Sequence, residues 1–523
     1  MKPEIYQEII SEILDKKPVT KNEIHKIKLG LCRKYNLDRV PSDADILSNV
    51  DEEFYSFLEP VLRMKPVRTI SGVAVVAVMT SPENCPHGKC VYCPGGVEYN
   101  SAQSYTGKEP AALRAGMHDF DPFLQTKSRI EQLHIIGHPT DKIDLIVMGG
   151  TFTSRKPDYQ NFFVKRCFDA MNNKESKNLE EAKKINENAK HRCIGLTIET
   201  RPDWCKKRHV DRILRLGGTR VELGVQSTFD EVLRNVERGH KVKDSVDATK
   251  ILKDSGLKVC YHMMPGLPGS SKEMDLESFK KIFYDERFRP DMLKIYPTLV
   301  IKGTKLYDSW KNKGYKALTT DEAAEIVAEV KRIVPPWVRI QRIQRDIPVP
   351  LIDDGVKKSN LRQIVEEKMK KIGVKCRCIR CREVGHKMLK GIMPDIENIK
   401  LLRMDYDSSG GKEIFLSFED VKKDILIGYA RLRKTNQPHR KEIKNAMLIR
   451  ELKVLGQMVS IGEKPEYEWQ HRGYGKELMK ECEKITKKDF GYKKILVNSG
   501  VGARNYYRKL GYRKYGVYMG RVL

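Results

Sequence analysis

Six short apolar runs between residues 70 and 350 constrain the fold more than any other feature: "GVAVVAVMT", "IDLIVMGG", "RCIGLTIET", "RVELGVQS", "LKVCYHMMPG" and "MLKIYPTLVI". They read as continuously apolar rather than alternating, as strands covered on both faces do. Stretches of helical periodicity, "PFLQTKSRIEQLHIIG" and "HVDRILRLGG" among them, lie between. Repeated βα units of this kind predict a parallel sheet, curved into a partial (βα)6 barrel or open and doubly wound. Either form puts ligands at the C-terminal ends of its strands. The unusual residues fall there: Cys85 after the first run, Gly149, Gly150 and Thr151 after the second, Glu199 ending the third. Gln226 and the pair Pro265-Gly266 follow the next two.

The loop after the first run, "CPHGKCVYCPGG", gathers Cys85, Cys90 and Cys93 within nine residues. Three thiolates can hold three irons of a [4Fe–4S] cube and leave the fourth iron without a protein ligand. That iron can chelate the amino and carboxylate groups of S-adenosylmethionine. One electron passed through it would cleave the sulfonium to a 5′-deoxyadenosyl radical. Gly149, Gly150, Glu199 and Gln226, at the same strand ends, are the candidates to hold S-adenosylmethionine. This pattern resembles the radical S-adenosylmethionine superfamily, although C-x4-C-x2-C has one residue more than the usual C-x3-C-x2-C. A zinc knuckle with His87 as fourth ligand is the competing reading.

A second trio, Cys376, Cys378 and Cys381 in "CRCIRCREVGH", suits a structural zinc between domains, with His386 or a distant residue as fourth ligand. Twelve cysteines, half of them in two tight clusters, do not resemble a disulfide framework and suit a reducing compartment. No apolar run is long enough to span a membrane, and "MKPEIYQEIISEILDKK" lacks the apolar segment of a signal peptide. A cytoplasmic enzyme with no membrane partner is expected.

Lys+Arg outnumber Asp+Glu by 98 to 70, giving +28, which predicts a polyanionic partner. Residues 1–65 read as a basic helical region, in which Pro41 interrupts and Ser42 caps a following helix. Its Lys26, Lys28, Arg33 and Lys34 are candidate RNA contacts. So are Arg339, Arg342 and Arg345, spaced every third residue in "RIQRIQRDIP". The highly charged stretch from about 170 to 191 reads as an exposed helix or insertion. Domain boundaries are expected at 66–335 for the barrel, 336–395 for a cysteine-containing linker, and 396–523 for a second α/β domain of mostly antiparallel strands.

Within the last domain, Gln470, Gly473 and Gly475 form Q-x-x-G-x-G, running through Tyr474 and Lys476 into an amphipathic helix. Backbone N–H groups at such a turn, ahead of a helix N-terminus, can cradle a pyrophosphate. The strand-like "ELKVLGQMV" before it and "SGVGARNYYRKLGY" after it resemble the Gcn5-related N-acetyltransferase fold. That resemblance implies acetyl-coenzyme A at the turn, with the backbone of Glu451, Leu452, Lys453 and Val454 along the pantetheine arm. It also implies a tyrosine near the sulfur that protonates the departing thiolate: Tyr507 at the coenzyme, with Tyr506 close by.

A radical domain fused to an acetyltransferase domain resembles the Elongator complex protein 3 family and its single-chain archaeal and bacterial members. The resemblance covers nearly the whole chain and rests also on "QSYTGKEPAALRA", "IVMGGTF", "IETRPD", "ELGVQS" and "HMMPGLPG". It implies modification of the wobble uridine of tRNA to carry a carboxymethyl group at C5. A deoxyadenosyl radical would take hydrogen from the methyl of acetyl-coenzyme A, and the carbon radical would add to C5. Thioester hydrolysis would then free the product, so the two sites must face each other. Lys142 matches a family position that reaches the coenzyme from the radical domain. A protein lysine acetyltransferase with a structural cluster and a non-catalytic RNA-binding scaffold are the alternatives. The sequence leaves the oligomeric state open, a homodimer included.

Overall fold

A computed structural model describes residues 3–17, 20–456, 469–470 and 472–523. Two seven-stranded sheets organise them. The first contains β1 (Ala74–Met79), β2 (Lys142–Met148), β3 (Arg192–Thr200), β4 (Arg220–Gln226), β5 (Lys258–Met263), β6 (Met292–Ile295) and β7 (Arg339–Arg342). They lie in chain order and every neighbouring pair is parallel. Helices return the chain from each strand end, and the apolar faces packed beneath them form the largest core of the molecule.

The seventh strand departs from the six-unit expectation. "RIQR" has only Ile340 as an apolar signal, because its neighbours point into a polar lumen or pair elsewhere. The barrel sheet therefore runs past residue 335 into the stretch expected to be a linker.

The second sheet has the order β13-β14-β12-β11-β10-β9-β8. Its strands are β8 (Ile399–Ser408), β9 (Gly411–Asp420), β10 (Ile425–Lys434), β11 (Met447–Val454), β12 (Lys494–Val497), β13 (Arg513–Tyr515) and β14 (Tyr518–Val522). All neighbours are antiparallel except β11 and β12. Those two pair only over Met447–Ile449 and Ile495–Val497, then diverge. The divergence frees one backbone edge of Glu451–Val454 from β12. Of the strand expected to continue towards Val459, residues 457–459 lie outside the described residues.

Buried ion pairs clamp the sheets together. Arg450 reaches Asp291 at 2.6 Å and Glu413 at 2.8 Å, and Arg433 reaches Asp254 at 2.6 Å. These groups are almost wholly enclosed, so losing one partner would strand a charge at a cost of about 3–5 kcal/mol. The charged stretch after residue 170 forms the helix Leu179–Asn186 and joins this interface. Glu187 at its end accepts Arg504 at 3.0 Å and Arg508 at 2.6 Å, so the segment is a docking element rather than an exposed insertion.

At the N-terminus, helices Pro3–Lys16, Lys21–Lys34, Asp43–Leu47 and Glu52–Leu62 share a small core around Ile9, Ile13, Ile24 and Leu31. Ser42 caps the third, accepting from the Asp45 amide. Among the described residues, no helix is long and apolar enough to cross a membrane.

Candidate active site

One cavity of about 1290 Å3 runs through the barrel to the second sheet. Cys85, Gly150, Thr151, Glu199, Gln226 and Arg238 line the end beyond the strand C-termini. Glu451, Leu452, Lys453, Val454, Gln470, Gly473, Gly475 and Lys476 line the other, with Lys142, Tyr506 and Tyr507. The two groups of residues picked from sequence thus meet in a single space.

At the first end, the ligand atoms of Cys85, Cys90, Cys93 and His87 do not form a group within 4.8 Å, as single-ion sites among the described residues do. Such spacing suits a larger cluster better than one ion. Donors surround the sulfurs. The Ser104 amide lies 3.1 Å from Cys93 Sγ, Thr151 Oγ1 3.4 Å from Cys85 Sγ, and Arg238 Nη1 3.7 Å from Cys90 Sγ. Burial pushes the Cys93 thiol up to about 11. These donors and the buried Arg238 charge oppose burial and favour the thiolates that iron requires. His87 Nε2 is 3.1 Å from Cys90 Sγ. Burial, then Arg201 and Arg238, push its pKa down to about 3, so the ring is neutral.

Gly150 has φ +68, and a Cβ there would stand 3.5 Å from Cys85 Sγ. Its neighbour does something else. A Cβ at Gly149 would fall 2.2 Å from Thr80 Oγ1, so this glycine serves strand packing and does not line the cavity. Glu199 accepts the Tyr105 hydroxyl at 2.8 Å and Lys294 Nζ at 3.3 Å. Gln226 takes φ +70 and leaves Oε1 buried without a protein partner.

At the other end, Gly473 takes φ +96 to begin the helix Tyr474–Lys488, so that a helix N-terminus with Gly473, Gly475 and Lys476 lines the cavity. A Cβ at Gly475 would meet the Tyr506 hydroxyl at 2.9 Å. Tyr506 therefore stands over the turn, with burial raising its pKa to about 12. Tyr507 also lines the cavity but is packed edge-on against Tyr512 at 6.1 Å and belongs to the core. The Tyr506 hydroxyl is thus the one at the turn, while Tyr507, expected at the coenzyme, lines the same cavity. Tyr474 turns away, packing on Phe418 at 5.0 Å and Trp469 at 6.3 Å. Lys142 Nζ donates to Gln470 Oε1 at 3.0 Å, joining β2 to the turn.

Other expected contacts are not brought together. Lys28 is buried and paired with Asp43 at 2.8 Å, and Lys34 pairs with Glu8, leaving Lys26 and Arg33 as the exposed cations of that helix without an acidic partner among the described residues. Arg339 is buried against Glu383 at 2.8 Å, Arg342 pairs with Asp346, and Arg345 donates to the Ser104 carbonyl. Arg339 is thus structural, whereas Arg342 is exposed, and both Arg342 and Arg345 line the cavity. Cys376, Cys378 and Cys381 do lie within 4.8 Å of one another and suit a single ion. His386 is outside that group and faces Glu383 at 3.0 Å.

Sequence reasoning missed Arg238, Ser104, Tyr105 and the charged residues inside the barrel. A signal for the last existed. Arg220, Glu222, Gly224 and Gln226 on β4, and Lys258, Cys260 and His262 on β5, are non-aliphatic at every second position and point inward. Three guanidinium groups, Arg68, Arg114 and Arg129, line the β1 side with no carboxylate partner among the described residues. Arg114 is buried and its Nε is unsatisfied.

Comparisons with known proteins agree with this arrangement. Family models match in chain order: the ELP3 N-terminal domain over residues 3–70, the radical SAM superfamily over 79–282, the Radical_SAM C-terminal domain over 290–371 and the acetyltransferase (GNAT) family over 386–512. The tRNA uridine(34) acetyltransferase of Methanocaldococcus infernus is 57% identical, covering 99% of this chain and 98% of its own. Elongator complex protein 3 of Homo sapiens is 46% identical over 96% of this chain and 93% of its own. The solved structure of archaeal Methanocaldococcus infernus Elp3 with an N-terminal deletion aligns with TM-score 0.78 and 56% identity, covering 87% of this chain and all of that one.

Proposed function

We infer the function from one premise: the chain belongs to the family of Elongator complex protein 3 and the archaeal tRNA uridine(34) acetyltransferases. It is an enzyme of tRNA wobble-uridine modification that unites a radical S-adenosylmethionine domain with an acetyltransferase domain. The finer reading is that it converts uridine 34 to 5-carboxymethyluridine with acetyl-coenzyme A as the carbon source.

The observation that carries this reading is the shared cavity. A uracil carbon is a poor nucleophile towards a thioester, so acyl transfer alone would not form the carbon–carbon bond. Bound at Cys85, Cys90 and Cys93, a [4Fe–4S] cluster with S-adenosylmethionine supplies a 5′-deoxyadenosyl radical, which can draw hydrogen from an otherwise inert methyl group. The remaining work falls to the chain. Arg238, Thr151 and the Ser104 amide hold the thiolates. Gly150, Glu199 and Gln226 bound the space for S-adenosylmethionine. The amides after Gly473 receive the coenzyme pyrophosphate, the free edge of Glu451–Val454 lies along its pantetheine, and Lys142 with Gln470 fixes the turn. Tyr506, neutral and therefore able to donate, returns a proton to the departing thiolate.

Exposed Lys26 and Arg33, with Arg68, Arg114 and Arg129 at the cavity wall, favour a polyanionic substrate. Zinc at Cys376, Cys378 and Cys381 would brace the segment beside β7. Twelve unpaired cysteines suit a reducing, cytoplasmic setting. Both ends of the cavity come from one chain, so a second copy is not needed to complete it.

The test is anaerobic incubation of the reconstituted protein with tRNA, S-adenosylmethionine, acetyl-coenzyme A and dithionite, followed by nucleoside mass analysis. Carboxymethyluridine at position 34, together with 5′-deoxyadenosine, is the expected outcome. Unmodified uridine with acetyl-lysine on a protein partner would contradict the reading.

A further inference from the structure

Midway along the cavity lies a polar group that neither end explains. Glu222 on β4, His262 on β5 and Lys294 on β6 occupy adjacent strands. The register pairs Gly224 with His262 and His262 with Lys294, so the side chains share the inner face. His262 Nε2 lies 2.8 Å from Glu222 Oε2. Lys294 contacts the same carboxylate and also Glu199 at 3.3 Å, while Arg220 stands 3.4 Å from Glu222. The Glu222 side chain is wholly enclosed, whereas that of His262 is 14% exposed and lines the cavity. Tyr296 packs edge-on to the imidazole at 5.4 Å.

These contacts settle which nitrogen is available. Burial raises the Glu222 carboxyl, yet Lys294, His262 and Arg220 hold it well below the usual carboxylate range. An ionised carboxylate can only accept, so Nε2–H is the donor in this contact, and in the neutral ring, the form a base requires, the lone pair sits on Nδ1. Cys260 completes a set of three ligand atoms within 4.8 Å. The ammonium of Lys294 already occupies the cation position against Glu222, which favours an oriented base over a metal site.

The position also matters. Lys258 opens β5 at the coenzyme end, where its charge acts on Glu451. His262 is four residues further, about 13 Å at roughly 3.3 Å per residue. Met264, just past the strand, lines the cavity and packs in one cluster with Cys90, Tyr92 and Cys93. A methyl carbon joined to both coenzyme and uridine must come to rest in this interval.

We propose that His262, oriented by Glu222, is the general base that hydrolyses the coenzyme thioester after its methyl carbon has been joined to uridine. The proposal rests on the function inferred above. His262 Nδ1 takes a proton from water as the water oxygen adds to the thioester carbonyl carbon. The C–S bond breaks with its electron pair on sulfur. Tyr506 gives its proton to the thiolate and recovers through water the one held by His262, leaving free coenzyme A and the carboxymethyl acid. No redox change occurs. General bases of this kind contribute about 10²–10⁴-fold.

The test compares wild type, His262→Gln and Glu222→Gln under single turnover with tRNA. Both variants should form 5′-deoxyadenosine within about two-fold of wild type. Carboxymethyluridine should fall by about 10²-fold, with coenzyme retained on tRNA as a thioester that hydroxylamine converts to a hydroxamate. A second arm needs neither cluster nor reductant: an oligonucleotide bearing a pre-formed uridine-5-acetyl-coenzyme A thioester, with free thiol release measured. Wild type should cleave it and His262→Gln should not. Equal cleavage by both, or loss of deoxyadenosine and carboxymethyluridine together, overturns the assignment. Absence of deoxyadenosine in the wild type would instead count against the radical reading itself.

Discussion

Lys142, the first residue of β2, donates from Nζ to Oε1 of Gln470 at 3.0 Å, bridging 328 positions of sequence. Gln470 in turn donates to the Val454 carbonyl at 3.2 Å, on the strand whose edge is free for the pantetheine arm. The parallel barrel thus holds the coenzyme turn of the second domain directly. Replacing Lys142 by Met should weaken acetyl-coenzyme A binding about five- to thirty-fold, the worth of one charge-assisted hydrogen bond of roughly 1–2 kcal/mol. Calorimetric titration of the variant checks this, and unchanged affinity would remove Lys142 from the coenzyme site.

Cys90→Ala should abolish 5′-deoxyadenosine formation while leaving acetyl-coenzyme A affinity within about two-fold, because the thiols and the turn lie at opposite ends of the cavity. Persistent cleavage of S-adenosylmethionine in that variant would show that the loop does not hold the cluster.

The N-terminal helices allow a sharper division than composition does. Neutralising Lys26 and Arg33 should lower the salt dependence of tRNA binding by about two charges' worth of slope. Lys28→Met should leave that slope unchanged and lower thermal stability instead, since it strips Asp43 of a buried partner. A flattened slope for Lys28→Met alone would reverse the assignment.

How much of this was legible in the sequence follows from where the signals sit. The parallel sheet, the cysteine loop and the glycine turn are local patterns and emerged from short windows. β7 did not, because "RIQR" spends its charged residues on partners 44 residues away and on the barrel interior. The pairing of Lys28 with Asp43, and of Arg339 with Glu383, turned expected RNA contacts into structural ion pairs. Such partners are matters of tertiary position that charge counting does not register. Tyr506 and Tyr507 are adjacent and chemically identical, and only the close approach to Gly475 separates them.

Acid should loosen the docking of the two domains. Burial raises the Glu451 carboxyl, but Lys258 and Arg431 hold it down to about 2. A folded value below the ordinary 4.3 means stability that is complete above that value and lost as pH falls towards 2, about 3 kcal/mol for this group. Thermal midpoints should therefore change little through Glu451 between pH 7 and 5 and drop below about 4.5. Arg431→Leu should shift that acid limb to higher pH; a limb unmoved by this change would exclude Glu451 as its source.

The central claim is that one cavity brings the radical end into contact with the methyl group of the coenzyme. Acetyl-coenzyme A carrying a trideuterated methyl tests it directly, with 5′-deoxyadenosine and the modified nucleoside weighed by mass spectrometry after one turnover. Deuterium in the deoxyadenosine, and carboxymethyluridine retaining two deuterons before exchange, is the predicted result. Deoxyadenosine free of label while uridine 34 is modified would contradict the account.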